Sequence, residues 1–324
     1  MTRLIPLLLL TILIGCVDAD APIRPGDNEE IIFTIEHGST AQSLYDDLSS
    51  IGLTQSKYHF KIALRDIDAG CIKAGHFQIK PAMSLRELFK IFCGAPLPED
   101  VPFVVVEGNR IMDTDRALAQ ANLITAGEYT ALATNKEVDV PFSVEGETLE
   151  GYLYPETYGI IPDKLSARRF IERQLKMFKD RFLDPHSNDF GERTLHEVVV
   201  MASMLEREEP NAENRRVVAG IIWKRLDSAW PLGIDATSHY RLKQWNDRKG
   251  LLEALRNKSD PYNTRLRKGL PPTAIGNPGL ESLEAALNPI ETPYWYYLHD
   301  KKGVFHGAKN GAEHERNRAK YNVY

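Results

Sequence analysis

The sequence predicts an α+β protein: a small module of strands and helices followed by a larger, mixed α/β domain. Three observations point that way. Short apolar runs of strand length alternate with amphipathic stretches of helical period. Two capping boxes, Ser84 to Glu87 and Thr194 to Glu197, mark helix starts. From about residue 144 the composition shifts toward tyrosine, tryptophan, Pro-Gly turns and clustered acids.

The chain has 324 residues, enough for two or three compact units. It is 43% hydrophobic and 26% charged, a globular balance. Forty basic against forty-five acidic residues give a net charge of −5. The basic residues form small clusters such as Arg265, Arg267 and Lys268, with no long basic stripe, which argues against nucleic acid as a partner. The nine histidines are scattered and no Cys/His pair has ligand spacing, so neither metal nor cofactor is expected.

Residues 1–22 read as a signal peptide with a lipobox, or as a short membrane anchor. Arg3 precedes an apolar run, Leu4 to Val17, of about 14 residues, short of the roughly 20 that span a bilayer. Such a run suits the apolar region of an export signal. Leu13-Ile14-Gly15-Cys16 resembles a bacterial lipobox and makes Cys16 a candidate lipidation site; otherwise the segment is an uncleaved anchor with an incidental cysteine. Both readings place the protein at a membrane, facing the extracytoplasmic side. Cys71 and Cys93 could pair in an oxidising compartment or stay as two thiols in a small core, and the sequence leaves both open.

Residues 23–30 read as a tether. In 31–98, Ile31 to Glu36 alternates as a strand, and Ser39 opens a helix with Leu44, Leu48 and Ile51 on its apolar side. Ser56 opens a second helix through Phe60 and Ala63, Gly75 to Lys80 is a short strand, and Ser84 starts a third helix. That order suits a LysM-like glycan-binding module, and equally an ordinary α+β unit. Residues 99–143 read as a bridging segment: a strand at Phe103 to Val106, then Glu107-Gly108-Asn109, then a helix from Met112 to Ala121.

In 144–324, a helix begins at Thr194 with an apolar stripe of Leu195, Val198, Val199, Ala202 and Leu205. At about 100° per residue, Glu206 falls within roughly 20° of Val199 and so lies over that stripe, whereas Glu208 faces the other way, toward solvent. Pro210 ends the helix. A buried, unpaired carboxylate tends to hold its proton. A carboxylic acid kept neutral near neutrality is what a glycosidic leaving oxygen needs. Alternatively Glu206 reaches water from a frayed end or pairs with Arg215 or Arg216, and from periodicity alone this second reading is the stronger.

Other segments add candidates. In Glu150 to Tyr158, tyrosines stand beside carboxylates, an arrangement that stacks on sugar rings and accepts their hydroxyls, although it also describes a tight surface turn. Pro231 to Thr237 sets Asp235 among apolar residues, and PYNT (Pro261 to Thr264) and GLPPT (Gly269 to Thr273) are rigid loops of the kind that line clefts. Trp223, Trp230 and Trp245 are candidates for a sugar platform; Trp223, in register with Val218, Ile222 and Leu226, fits a core position better. Pro293 to Leu298 reads as a buried strand.

In this order, VEGN, LEGYLYPETY, ASMLERE, VAGIIWKRL, PLGIDAT, PYNT, GLPPTAIGNPGLESLEAALNP and AEHERN resemble the endolytic murein transglycosylase family, and the resemblance runs over nearly all of the chain from Ile31. It implies a bacterial, membrane-anchored enzyme facing the periplasm or outer wall. Such an enzyme cleaves peptidoglycan strands internally, between N-acetylmuramic acid and N-acetylglucosamine, and leaves 1,6-anhydro ends. It further implies action on nascent strands beside the peptidoglycan synthases, from the inner membrane, while which membrane, inner or outer, would hold a lipidated Cys16 stays open. The family's catalytic glutamate, in an Ala-Ser-x-x-Glu segment, falls on Glu206. Asn263 is then expected at the substrate's N-acetyl or carbonyl group, and Asp235, Glu156, Tyr158 and Thr237 as supporting substrate contacts. The chain departs from the family where Gly233 replaces glutamine, Ala236 proline and Lys224 asparagine. Two other classes stay open: an inactive peptidoglycan-binding lipoprotein, and a muramidase-type hydrolase with Asp235 or Glu156 as second carboxylate.

Overall fold

The computed structural model describes residues 18–323 apart from 55, 66, 98 and 99, so Cys16 and the lipobox lie outside the described residues. Among the described residues, no helix is long and apolar enough to cross a membrane. The chain forms two compact units that divide between Asp100 and Val101. The 99–143 segment expected as a bridge therefore lies inside the second unit from Val101 onward.

The first unit pairs strand β1 (Ile31–Ile35) with β2 (Gly75–Ile79) antiparallel, Phe33 opposite Phe77. Helices α1 (Ala41–Ser50) and α2 (Lys57–Arg65) lie between them in sequence, and α3 (Leu85–Phe92) follows. The element order matches the expected one. The first helix is capped by Thr40 rather than Ser39, because the Thr40 and Ser43 side chains complete a reciprocal capping box. Phe33 stacks on Phe92, and Phe60, Phe77, Phe89 and Phe92 pack edge to face or tilted around the same centre. Cys71 and Cys93 form a disulfide, which settles the open alternative and ties α3 to the short 3-10 turn Ala69–Cys71. The expected tether does not hang free: Ile23 N–H donates to the Met83 carbonyl at 3.2 Å and Ala82 N–H to the Asp27 carbonyl at 2.8 Å.

In the second unit, β3 (Val101–Val104) pairs antiparallel with β4 (Thr157–Ile160). Helices α4 (Ile111–Gln120), α5 (Glu128–Asn135) and α6 (Ala167–Phe178) pack beside this ribbon. The centre is α7 (Leu195–Glu208), in which every residue from Val198 to Leu205 is buried. A helix apolar all round belongs inside a core, so α7 carries more than the single stripe read from sequence. Around it pack α8 (Ala212–Asp227), the short α9 (Asp235–His239) and α11 (Leu280–Leu287), with α10 (Arg248–Ala254) packed on α9. Trp223 on α8 is 5% exposed and donates to the Ala286 carbonyl, a core position as expected. A hairpin of β5 (Tyr296–His299) and β6 (Phe305–Ala308), backed by α12 (Gly311–Tyr321), completes the unit. The segment read as a buried strand starts three residues later, and in β5 only Leu298 is fully buried.

LEGYLYPETY is not a surface turn. Tyr152, Leu153 and Tyr154 are buried, and Gly151 has φ +93°, with α7's Val199 and the Ala274 methyl filling the space a side chain would take. The turn is held from inside by Asn277. Its Oδ1 accepts the N–H groups of Gly151 (2.9 Å) and Leu153 (3.0 Å), and its Nδ2 donates to the Asn109 carbonyl (3.0 Å) and to Glu150 Oε1 (3.2 Å). Glu150, 2% exposed, also accepts from the first N–H of α4 at Ile111 (3.0 Å) and from the Tyr240 hydroxyl (3.1 Å).

Burial raises the Glu150 carboxyl from its usual 4.5 to about 8. The folded chain therefore holds this proton across a pH range in which the unfolded chain has released it. The stability linked to Glu150 is full below pH 4.5 and is lost as pH rises toward 8. Urea unfolding of wild type and Glu150→Gln at about pH 5 and about pH 8.5 should show the wild type losing on the order of a few kcal/mol relative to the variant at the higher pH. A constant difference between the two proteins at both pH values would refute the assignment.

Candidate active site

Glu206 ends the buried run of α7, and its side chain is 9% exposed. Its Oε2 accepts the backbone N–H of Gly279 at 3.0 Å. Gly279 is the N-cap of α11, so a helix N-terminus and its dipole face the carboxylate. Oε1 lies 3.8 Å from the Arg215 guanidinium, too far for a hydrogen bond, and accepts none from the described residues. Glu206 therefore points inward and stands beside Arg215 at once, which joins the two readings the sequence kept apart. One oxygen is held by a backbone N–H, and the other faces Arg215 without a hydrogen bond.

Arg215 is fixed by the chain reversal after α7. It is 5% exposed; its Nε donates to the Glu209 carbonyl at 2.8 Å, and its Nη1 lies 3.4 Å from Glu281 on α11. A cation at the last carbonyls of a helix is electrostatically favoured there. Ser203, one turn before Glu206, explains the serine of the Ala-Ser-x-x-Glu segment. Its Oγ accepts the Ile275 N–H at 3.0 Å, which lays the 275–279 loop along α7 and brings Gly279 to Glu206.

The opposite wall comes from residues 107–110. Gly108 N–H donates to the Asn277 carbonyl at 2.7 Å, and a β-carbon at Gly108 would lie 3.4 Å from Glu206 Cγ. Glu107 lies over Gly279, where any side chain would overlap its carboxylate. Partial burial raises the Glu107 carboxyl, and the nearby Glu206 adds to the effect. On the far side, the Arg207 guanidinium stacks 3.8 Å from the centre of the Trp245 ring, and Arg110 stacks on the same ring at 4.6 Å. Arg110 is 1% exposed and holds the Tyr240 and Leu242 carbonyls at 2.9 and 2.6 Å, which fixes the loop that carries Trp245. Among the three tryptophans proposed as a platform, Trp245 is the one beside Arg207; Trp230 stacks on Trp295 instead.

The other expected site residues lie in different surroundings. Asn263 is fully buried, and its Nδ2 donates at 3.0 Å to the carbonyls of Ala254, Leu255 and Asn257. Its amide closes a loop, so in this structure it has no donor left to reach an N-acetyl group. Thr237, also fully buried, donates to the Ile234 carbonyl at 2.7 Å and pins α9. Tyr158 is buried against Phe170, and its hydroxyl donates to the Tyr154 carbonyl at 2.7 Å. Asp235 is paired with Arg265, Nη2 to Oδ2 at 2.8 Å. Of these five, Glu156 is the one whose charge acts on the Glu206 surroundings, through Glu107.

Glu208 does not face solvent as the helical angle suggests. The β5–β6 hairpin covers that side of α7, the Tyr297 hydroxyl donates to Glu208 at 3.1 Å, and burial raises its carboxyl. Two of the three departures from the family, Gly233 and Lys224, have defined local surroundings, and nothing in the structure explains Ala236. Gly233 has φ +71°, a conformation in which glutamine would be strained. Lys224 donates to the Thr292 carbonyl at 2.7 Å and covers Trp295. Glu107, Gly279, Asn277 and Ser203 were not singled out from the sequence. All four stand inside segments of the family resemblance, and that was the signal available for them.

A family model described as the YceG-like family matches residues 33–320. An endolytic murein transglycosylase of Bacillus subtilis (strain 168) is 24% identical over 316 residues, covering 93% of this chain and 87% of its own. An endolytic murein transglycosylase of Streptococcus pneumoniae (strain D39) is 24% identical over 336 residues, and the chain spans 61% of that protein's length. The crystal structure of a YceG-like protein from Listeria monocytogenes is similar with a TM-score of 0.57 at 25% identity, covering 90% of this chain and 99% of that one.

Asn263→Ala should remove the donor that holds the part-buried carbonyls of Ala254, Leu255 and Asn257 and cost about 1–2 kcal/mol of unfolding free energy, while the folded variant cleaves substrate within a few-fold of wild type. Unchanged stability with lost activity would return Asn263 to the substrate.

Proposed function

The chain belongs to the YceG-like family, and we propose that it is an endolytic lytic transglycosylase. It cleaves the bond between N-acetylmuramic acid and N-acetylglucosamine inside peptidoglycan strands and leaves 1,6-anhydro ends. The observation that carries this is the state of Glu206: one carboxylate oxygen is fixed by the Gly279 N–H, and the other has no hydrogen-bond partner among the described residues. A single acid so placed suits a reaction that needs one carboxylate and no activated water.

In the proposed sequence, protonated Glu206 gives its proton to the glycosidic oxygen as the bond from that oxygen to the anomeric carbon breaks. The glutamate then takes the proton of the muramic C6 hydroxyl, whose oxygen bonds to the same anomeric carbon. One bond is lost and one gained, and a proton passes from O6 to the leaving oxygen through Glu206. A hydrolase of the usual kind needs a second carboxylate at a defined separation to bind or activate the water or the sugar. Asp235 is engaged with Arg265 and does not supply it.

The strand–helix–helix–strand order of the first unit is compatible with a glycan-binding role, which would hold the wall near the second unit. Anchoring through the N-terminal apolar run, whether by Cys16 lipidation or by a short span, would keep the enzyme at the membrane where synthases extend new strands.

The test is mass spectrometry of fragments released from peptidoglycan by wild type and Glu206→Gln. Anhydro-muramic ends from the wild type, reduced about 10²-fold or more in the variant, are expected for the loss of a general acid. Reducing ends would mean that water is the nucleophile. Activity of the variant within a few-fold of wild type would remove Glu206 from the chemistry.

A further inference from the structure

Peptidoglycan is an acidic polymer. Its muramic sugar carries a lactyl ether at C3, whose carboxyl is free on bare strands and otherwise bears a stem peptide with carboxylates of its own. Cleavage beside that sugar brings negative charge close to the acid, where a cation would recognise it. Arg110, Arg207 and Arg215 stand in this region, and two of them are spent inside the fold. Arg215 is 5% exposed and donates to the Glu209 carbonyl. Arg110 is 1% exposed and divides its donors between Asp113 and the Tyr240 and Leu242 carbonyls. Arg207 is exposed and has no hydrogen bond or ion pair among the described residues.

Yet Arg207 is not a loose surface cation. Its guanidinium lies 3.8 Å from the centre of the Trp245 ring. That ring is fixed in turn: its indole N–H donates to Asp113 at 3.4 Å, and Arg110 stacks on it at 4.6 Å. Stacking on a fixed ring settles the plane of a guanidinium while its N–H edge stays free, so little rotamer freedom is lost when an anion binds. Gly108 sets the position. Arg207 Nη1 and Glu206 Cγ both lie 3.4 Å from the place a β-carbon would occupy there, so they are separated by at most twice that distance. The local charge is unbalanced as well. Asp113 is paired with both Arg110 and Arg116, which leaves the Arg207 charge without a carboxylate bonded to it.

We propose that Arg207 is a substrate-binding residue that takes a carboxylate of the muramic C3 substituent and so sets which strands the enzyme prefers. The proposal rests on the transglycosylase reading and deepens it. With Glu206 at the glycosidic oxygen, the C3 ether stands two ring carbons from the anomeric carbon, and its acid group falls beside the neighbouring side chain. A planar guanidinium with two parallel donors matches a carboxylate, whereas an amide offers it no charge. The carboxylate is either the lactyl group of a bare strand or an acid of the stem peptide. Both present the same chemistry to Arg207, and the choice of substrate separates them.

The experiment measures KM and kcat for fragment release by the full chain, Arg207→Gln and Arg207→Lys, with thermal unfolding as the control for folding. Uncrosslinked strands with stem peptides, and bare strands after amidase treatment, are each used as such and with their carboxyls converted to methylamides. On at least one unmodified preparation, Arg207→Gln should raise KM about five- to tenfold while kcat stays within about twofold. On its methylamide the wild-type KM should rise to meet that of the variant, and the substitution should then change KM by less than about twofold. Arg207→Lys, which keeps the charge but not the fork, should fall between. An effect on bare strands assigns the lactyl carboxylate, and one on peptide-bearing strands assigns the stem.

A KM for folded Arg207→Gln equal to that of wild type on both unmodified preparations overturns the proposal. So does a rise of the same size on the methylamides, since packing rather than charge would then be at work, or a fall in kcat with KM unchanged. The transglycosylase reading fails separately. The ends of the fragments are scored in the same runs, and reducing ends from wild type defeat that reading while the KM contrast still reports on Arg207. Anhydro ends without the KM contrast defeat the Arg207 proposal alone, and no fragments from wild type defeat both.

Discussion

The active region depends on one buried amide. Asn277 joins three stretches of backbone that are far apart in sequence, near residues 109, 151 and 277, by accepting two N–H groups and donating to a carbonyl and a carboxylate. A side-chain amide has both donors and acceptors in one plane, so it can close such a junction without stranding any of the polar groups it meets. An unsatisfied group at that depth would cost roughly 1–3 kcal/mol, which keeps the three stretches in register. The consequence lies two residues away, where Gly279 N–H is aimed at Glu206 and Glu107 is brought over it.

The second constraint is helix α7 itself. Because it is apolar on every side from Val198 to Leu205, it must lie at the centre of the unit, and its C-terminal end must emerge where the surrounding helices leave room. Glu206, Arg207, Glu208 and Glu209 then face four different neighbours. Glu206 meets α11, Arg207 stacks on Trp245, and Glu208 and Glu209 meet Tyr297 and His299 of the hairpin. The run of charge that looks anomalous after an apolar helix is resolved into separate contacts, each with its own partner. Glu206 keeps one oxygen without a hydrogen-bond partner among the described residues.

Much of the architecture was legible in the sequence. The order of elements in the first unit, the Thr194 capping box, the core position of Trp223 and the inward turn of Glu206 follow from local hydrogen bonding and from helical period, which act between residues close in the chain. Those signals are short-range, and the predictions fail where long-range packing intervenes. The helical angle correctly places Glu208 opposite Glu206, but no angle reveals that a hairpin some ninety residues later covers that side. Likewise LEGYLYPETY reads as a surface turn because turns are usually exposed, until Val199 and Ala274 close over Gly151.

The site divides the same way. The sequence by itself placed Glu206 over the apolar stripe of its helix, because a stripe and a carboxylate on one face are properties of one helix, and the family resemblance then singled it out as the candidate acid. It also determined the family, because ordered segments survive as text. Only the tertiary structure decided which residues stand around that acid. Asn263, Thr237 and Tyr158 looked like substrate contacts because polar residues in rigid loops often are, yet their hydrogen bonds are spent on neighbouring backbone. Glu107 and Gly279 carry no local sign of importance. They meet Glu206 because Asn277 and Ser203 draw distant backbone onto α7. Hydrogen bonds between residues more than a hundred positions apart leave no periodicity in a sequence, and the surroundings of the acid are built from them.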